Sequence, residues 1–352
     1  MKKSFLVLIV VFLGVSMTQV VAKPKNVIFM IGDGMGLSQV YAAMVKNNNK
    51  LELERCPVIG FSKTYSSSHF TTDSGAGGTA LATGVKTKNG MIGMDPDSVA
   101  VESILELAEK NTLATGMVVA CAVTHATPAS FIAHQVNRNM YDEIATDFLK
   151  TDIDVFIGGG RKSFEKRLDG RNLTNELKAK QYQIAYTLDD VKAVKSGKLA
   201  GLLYDDQNPS VPERGKMLSE STVAALDILD NNKKGFFLMI EGSQIDWACH
   251  DNNADQAIKE MLDFDETIGK VLDFAQKDGN TLVIITADHE TGGFTIPSGD
   301  MKTGTIKEAF STKGHSGTPV PIYAYGPGAE NFSGFMENTA LFGKIKKLLK
   351  LK

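Results

Sequence analysis

Three apolar runs in this chain each end on acids, and that repetition constrains the fold more than any other feature. Asn26 to Gly32 runs into Asp33 and Gly34, Phe236 to Ile240 into Glu241 and Gly242, and Leu282 to Ala287 into Asp288, His289 and Glu290. A short, unbroken apolar run is how a strand reads when a parallel sheet is covered on both faces. Helical patterns at 100–110, 142–149 and 217–229 lie between the runs. The alternation predicts an α/β fold: a single domain with a mostly parallel central sheet and helices on both faces. Residues 161–214 are more polar, and are expected to form an insertion or cap over the sheet. In open α/β sheets ligands bind beyond the carboxyl ends of the strands. Asp33, Glu241, Asp288 and His289 are therefore expected to gather along one edge.

Other fragments point to the same place. Asp246 and His250 are four residues apart, so one helical turn puts both on one face. His315 stands in a glycine-flanked loop, Lys313-Gly314-His315-Ser316-Gly317. Together these supply three histidines and four carboxylates. So many gathered charges repel one another unless cations offset them. Histidine with carboxylate suits zinc, and all-oxygen ligation suits magnesium, so a multi-metal site is predicted. The stretch Thr72-Asp73-Ser74-Gly75-Ala76-Gly77-Gly78-Thr79-Ala80 reads as the start of a tight helix carrying one serine. Its free N–H groups favour an anion, and its small residues would let a phosphate approach closely.

With those fragments in place, the chain resembles the alkaline phosphatases. The matching residues are Asp33 in Gly-Asp-Gly-Met-Gly, Asp73-Ser74, Thr127 in His125-Ala126-Thr127-Pro128-Ala129, Arg138, Glu241 to Asp246, His250, Asp288 to Gly293, and His315. They follow the family's order from about Asn26 to at least Pro321. The resemblance implies a phosphate monoester hydrolase with two zinc ions and one magnesium ion. Asp246, His250 and His315 would hold the first zinc. Asp33, Asp288 and His289 would hold the second, with Ser74 completing it. Asp33 would also reach a third site with Thr127 and Glu241, usually magnesium. Arg138 would clamp two phosphate oxygens, which its planar fork suits.

A serine hydroxyl needs activation to attack, and a bound zinc lowers its pKa. Two positions depart from the commonest bacterial pattern. His125 stands where some members have aspartate, which removes an anionic oxygen near the third metal. Trp247 follows Asp246 where related enzymes often carry lysine or histidine; it packs over the site or stacks on a substrate group. Both are candidate substrate contacts. His134 is expected to be a hydrogen-bonded core histidine, and His69 a rim residue. Relatives acting on diesters or sulfate esters commonly use threonine or a modified residue and commonly lack the arginine, so Ser74 with Arg138 argues against them. A metal-sequestering protein would need no nucleophile.

The first residues form a basic then apolar leader, and Val20-Val21-Ala22 offers a cleavage point. Residues 1–22 read as a signal peptide, implying export, and a periplasmic location if the source is a Gram-negative bacterium. Their loss removes Lys2 and Lys3 and takes the net charge from -3 to -5. That mild charge argues against nucleic acid as a main partner. No other stretch is long and apolar enough to span a bilayer. The remaining residues, about 330, suffice for one large domain. The resemblance leaves a homodimer open, with part of the usual dimer surface expected to be missing in so short a chain. Cys56, Cys121 and Cys249 are an odd number, so this is no disulfide scaffold. Cys249, beside His250, reads as a buried small residue or an adventitious zinc ligand. The basic amphipathic tail from Phe342 to Lys352 is expected to dock as a terminal helix, with an anionic membrane as the other option.

Overall fold

Asn26–Gly32 forms a strand, β1, that is buried at every position. Val27, Phe29 and Ile31 enter one core, while Ile28 and Met30 enter a second on the opposite face. The period of two explains why the run from Val27 to Ile31 is apolar at every position: both faces are covered. The computed structural model describes residues 23–352, so the expected signal peptide at 1–22 lies outside the described residues.

The other strands are β2 (Val58–Lys63), β3 (Ala114–Ala122), β4 (Val155–Gly159), β5 (Tyr182–Ala185), β6 (Lys198–Leu202), β7 (Phe236–Gly242), β8 (Thr281–Thr286), β9 (Glu290–Thr291), β10 (Phe294–Asp300), β11 (Thr305–Phe310), β12 (His315–Ser316), β13 (Val320–Tyr325) and β14 (Gly334–Glu337). Ten of these make one sheet, in the order β14-β2-β13-β8-β1-β7-β3-β4-β6-β5. Only β13 runs antiparallel to its sheet neighbours. The α/β fold with a mostly parallel sheet is thus the observed architecture. Helices Ile104–Lys110 and Thr339–Leu349 feed the core of Val27 and Phe29, and Met217–Leu229 and Ala254–Asp278 feed the other.

β1 lies between β7 and β8 in a fixed register, with Gly32 opposite Gly242 and Ile31 opposite both Glu241 and Thr286. Asn26 helps to set it. Its Nδ2 donates to Thr281 Oγ1 at 3.1 Å, and its Oδ1 accepts from Phe236 N at 3.2 Å. One buried amide therefore ties the starts of three strands. Their far ends deliver Asp33, Glu241 and Asp288 to one edge.

Three sequence expectations need correction. Residues 161–214 do not lie over the sheet as a cap; they contribute β5 and β6 and extend its edge. β5 is half exposed, so it lacks the continuous apolar signature of the central strands. The helix expected at 100–110 starts only at Ile104, where Ser103 and Glu106 form a reciprocal capping box. The helix expected at 142–149 spans Tyr141–Asp147 instead. Met217–Leu229 is helical as expected. The tail docks as the helix Thr339–Leu349, with Leu341 and Ile345 buried.

Candidate metal centre

Ser74 opens the helix Ser74–Thr83, and every residue of that helix is buried. Asp73 caps it, its Oδ1 accepting from Ala76 N at 3.0 Å. The glycines serve close packing rather than phosphate approach. A Cβ on Gly77 would lie 3.0 Å from the Asp288 carbonyl oxygen, and one on Gly78 would lie 2.9 Å from Ser130 Oγ. The helix that carries the serine is thus pressed against the loop that carries Asp288 and His289. Ser74 Oγ lies 3.2 Å from His289 Nε2.

His289 Nε2 also lies 3.4 Å from Asp33 Oδ1 and 3.4 Å from Asp288 Oδ2. Both of those buried oxygens lack a hydrogen-bond partner, as does Glu241 Oε1. The tautomer of His289 follows from its neighbour. The Thr291 hydroxyl donates its single proton to Asp246 Oδ1, so it must accept from His289 Nδ1, 3.2 Å away. His289 Nε2 then presents a lone pair towards two carboxylate oxygens. Unpaired buried acceptors facing one another are costly, and a cation among them removes the cost.

A second cluster abuts the first. His250 Nδ1 and His315 Nδ1 donate to the carbonyls of Lys313 and Thr72. Their Nε2 atoms face each other at 3.1 Å and lie 3.3 and 3.5 Å from the Asp246 carboxylate. Something positive must sit among these atoms, either a proton or a metal ion. The His289 and His315 rings stack with centroids 3.5 Å apart, so the two clusters touch. Thr127 Oγ1 lies 3.4 Å from Asp33 Oδ2, which starts a third group leading to Glu241.

The proton affinities match this picture. Burial holds Asp33 well above the usual carboxylate range, and the charges of Asp288, Asp246 and Glu241 add to it. Burial likewise raises Asp288 to about 8 and Glu241 to about 7. Burial would raise Asp246 too, but the His250 hydrogen bond and the nearby histidines pull it below the carboxylate range. His250 rises to about 9, chiefly through that hydrogen bond, whereas burial pushes His289 well below its ordinary value. A neutral His289 offers a lone pair as a metal ligand must, and the reluctance of the buried carboxylates to ionise without a counter-charge is what a bound cation would relieve. The residues present therefore fit metal ions.

Arg138 Nη1 donates to Asp73 Oδ2 at 3.0 Å, so the residue that caps the serine helix also holds the guanidinium. His125 is buried, its pKa pushed down to about 4 by burial first, and its ring meets that of half-buried Trp247 edge-on at 5.6 Å. His134 is hydrogen-bonded as expected, to Gly93 O and Glu106. His69 lies on an exposed loop bonded to Ser68. Cys249 is fully buried, lies outside the metal-type groups, and has Gln39 as its polar neighbour. Sequence reasoning missed Thr291, the carbonyls of Thr72 and Lys313, and Cys121, which donates to Glu241 Oε2 at 3.3 Å. Backbone carbonyls carry no sequence signal, and Thr291 was read only as part of the matching stretch Asp288 to Gly293, with no role of its own.

The alkaline phosphatase family model matches residues 24–310 and 301–351. The chain belongs to the alkaline phosphatase family. Alkaline phosphatase 4 of Bacillus subtilis is 35% identical over 94% of this chain and 89% of its own length. The alkaline phosphatase of Escherichia coli is 32% identical over 93% of this chain and 86% of its own. Among solved structures, the alkaline phosphatase of the Antarctic bacterium TAB5 superposes with a TM-score of 0.89 at 44% identity, over 94% of this chain and 99% of that one. A histidine-to-aspartate variant of that enzyme is described with magnesium bound in its M3 site. Alkaline phosphatases are phosphoric monoester hydrolases, so this chain is a metal-binding hydrolase of that class. Among the described residues no helix is long and apolar enough to cross a membrane.

Proposed function

We propose that the chain hydrolyses phosphate monoesters through a phosphoserine formed on Ser74, at a centre holding two zinc ions and a third divalent ion, magnesium in the family pattern. The observation that carries this reading is the position of Ser74 Oγ, 3.2 Å from His289 Nε2 and at the mouth of unpartnered buried carboxylates. Asp246, His250 and His315 would hold one zinc, and Asp33, Asp288 and His289 the other. Asp33, Thr127 and Glu241 would hold the third ion. Bound there, the ions would supply Lewis acidity, lowering the pKa of a hydroxyl and offsetting charge on phosphate oxygens.

The chain's own groups do the remaining work. The hydroxyl of Ser74 gives its proton to solvent and its oxygen attacks phosphorus, displacing an alkoxide that takes a proton from solvent and leaves as the alcohol. Water then cleaves the Ser74–phosphate bond and releases inorganic phosphate. Arg138, held by Asp73, offers two N–H groups to two phosphate oxygens and fixes the phosphoryl group in line. A diester has one free oxygen fewer, so this clamp favours monoesters. His125 and Trp247 would line the substrate side, Trp247 presenting an apolar ring to the leaving group. Export of the chain and a homodimer belong to the same reading, supported by the pattern at 1–22 and by the family resemblance.

Ser74→Ala tests the proposal. The variant should bind the parent's complement of metal and lose phosphate release from a simple monoester by orders of magnitude, and acid-quenched parent should carry phosphate on Ser74. Full turnover in the variant would remove the nucleophile from Ser74.

A further inference from the structure

Cys121 borders Glu241 and His125 but has no part in the proposed chemistry. β3 pairs with β7 so that Val119 lies opposite Glu241, and Cys121, two residues further on, points to the same face of the sheet. The chain then turns back through a hydrogen bond from His125 N to Ala122 O at 2.8 Å, which returns the His125 ring to the same spot. As a result, Cys121 Sγ, a ring nitrogen of His125 and a carboxylate oxygen of Glu241 lie within 4.8 Å of one another, all buried. Two orphans mark the pocket: His125 Nδ1 and Glu241 Oε1 are buried without any hydrogen-bond partner. A satisfied core would not leave a histidine nitrogen and a carboxylate oxygen bare side by side. Thiolate, imidazole and carboxylate form a donor set for zinc, whereas magnesium takes oxygen ligands and keeps its waters.

We propose that Cys121, His125 and Glu241 form a further zinc site, which shares Glu241 with the oxygen set of Asp33 and Thr127 and therefore competes with an ion there. Zinc uptake replaces the thiol proton now donated to Glu241; that proton leaves to solvent and the sulfur binds as thiolate. The inference rests on the metal-centre reading above, and changes what the third position holds when zinc is available.

Cobalt serves as a probe, since a thiolate ligand gives it a sulfur-to-metal charge-transfer band that oxygen and nitrogen ligands do not. Metal-stripped protein should develop that band on titration with cobalt. Cys121→Ser should abolish it, while Cys249→Ser and Cys56→Ser should keep it. Elemental analysis after equilibration with zinc and excess magnesium should give the parent one more zinc and one fewer magnesium than Cys121→Ser. Phosphate release from a monoester, measured on the same zinc and magnesium samples, separates the two readings: its absence would count against the hydrolase reading. A parent that fills its sites with cobalt yet shows no such band, or that holds the same zinc and magnesium as the variant, overturns the proposed site whatever the activity.

Discussion

Thr291→Val isolates one hydroxyl that joins two proposed ligands, Asp246 and His289. In the parent that hydroxyl donates to Asp246 and accepts from His289 Nδ1 at 3.2 Å. Valine has nearly the same shape, so no cavity opens, but a buried N–H loses its acceptor and a buried carboxylate loses its donor. Removing the group that orients a metal-bound histidine costs about 10- to 100-fold in metal affinity, or about 1.4–2.7 kcal/mol. Leaving a buried donor unsatisfied costs about 1–3 kcal/mol by an independent route. The two agree, and because two ligands are affected the loss should fall near the upper end. Competition with a fluorescent zinc chelator measures it directly, with circular dichroism showing that the fold persists. Thr291→Ser keeps the hydroxyl and should remain within a few-fold of the parent. An affinity for Thr291→Val equal to the parent's would refute the hydrogen-bond relay, and with it the tautomer assigned to His289.

Two further outcomes follow from the same geometry. Arg138→Ala should lower kcat/KM for monoesters by at least about 10- to 100-fold, the worth of one charge-assisted hydrogen bond, with metal content unchanged because Asp73 still caps its helix; steady-state kinetics with parent-like kcat/KM would place the clamp elsewhere. Metal-free protein should lose stability as pH rises from the ordinary carboxylate range through about 7 to 8, because Glu241 and Asp288 bind their protons more tightly folded than unfolded and must give them up inside the core. Metal-loaded protein should not show this fall, so thermal melts of the two forms should diverge as pH rises; parallel curves would mean that these carboxylates are not buried without a counter-charge as described.

Much of the candidate centre was legible because its carboxylates sit at strand ends, where an apolar run makes the following acid conspicuous. Asp33, Glu241 and Asp288 were read in that way, and their convergence follows from β1, β7 and β8 being neighbours. Legibility failed where the structural role leaves no compositional mark. β5 and β6 are short strands in polar surroundings, and their segment read as an insertion or cap. Ser103 and Glu106 did carry a capping signal, and it would have set the helix start. Cys121 was read only as one of three cysteines, since a cysteine in an apolar strand usually fills space; only the turn that returns His125 to it reveals a donor set. The glycines after Ser74 were visible, but their reason, contact with Asp288 and Ser130, is tertiary.

The tie that Asn26 makes at the start of β1, β7 and β8 has a consequence at the other end of those strands. A slip of one residue would move a strand by about 3.3 Å and turn its final side chain to the wrong face. That step is as large as the 3.4 Å separating His289 from the two aspartates. The backbone ladder therefore acts as a ruler, and the spacing of the ligands is stored in it before any ion arrives. Cations entering this centre would meet a frame whose spacing the paired strands have already set.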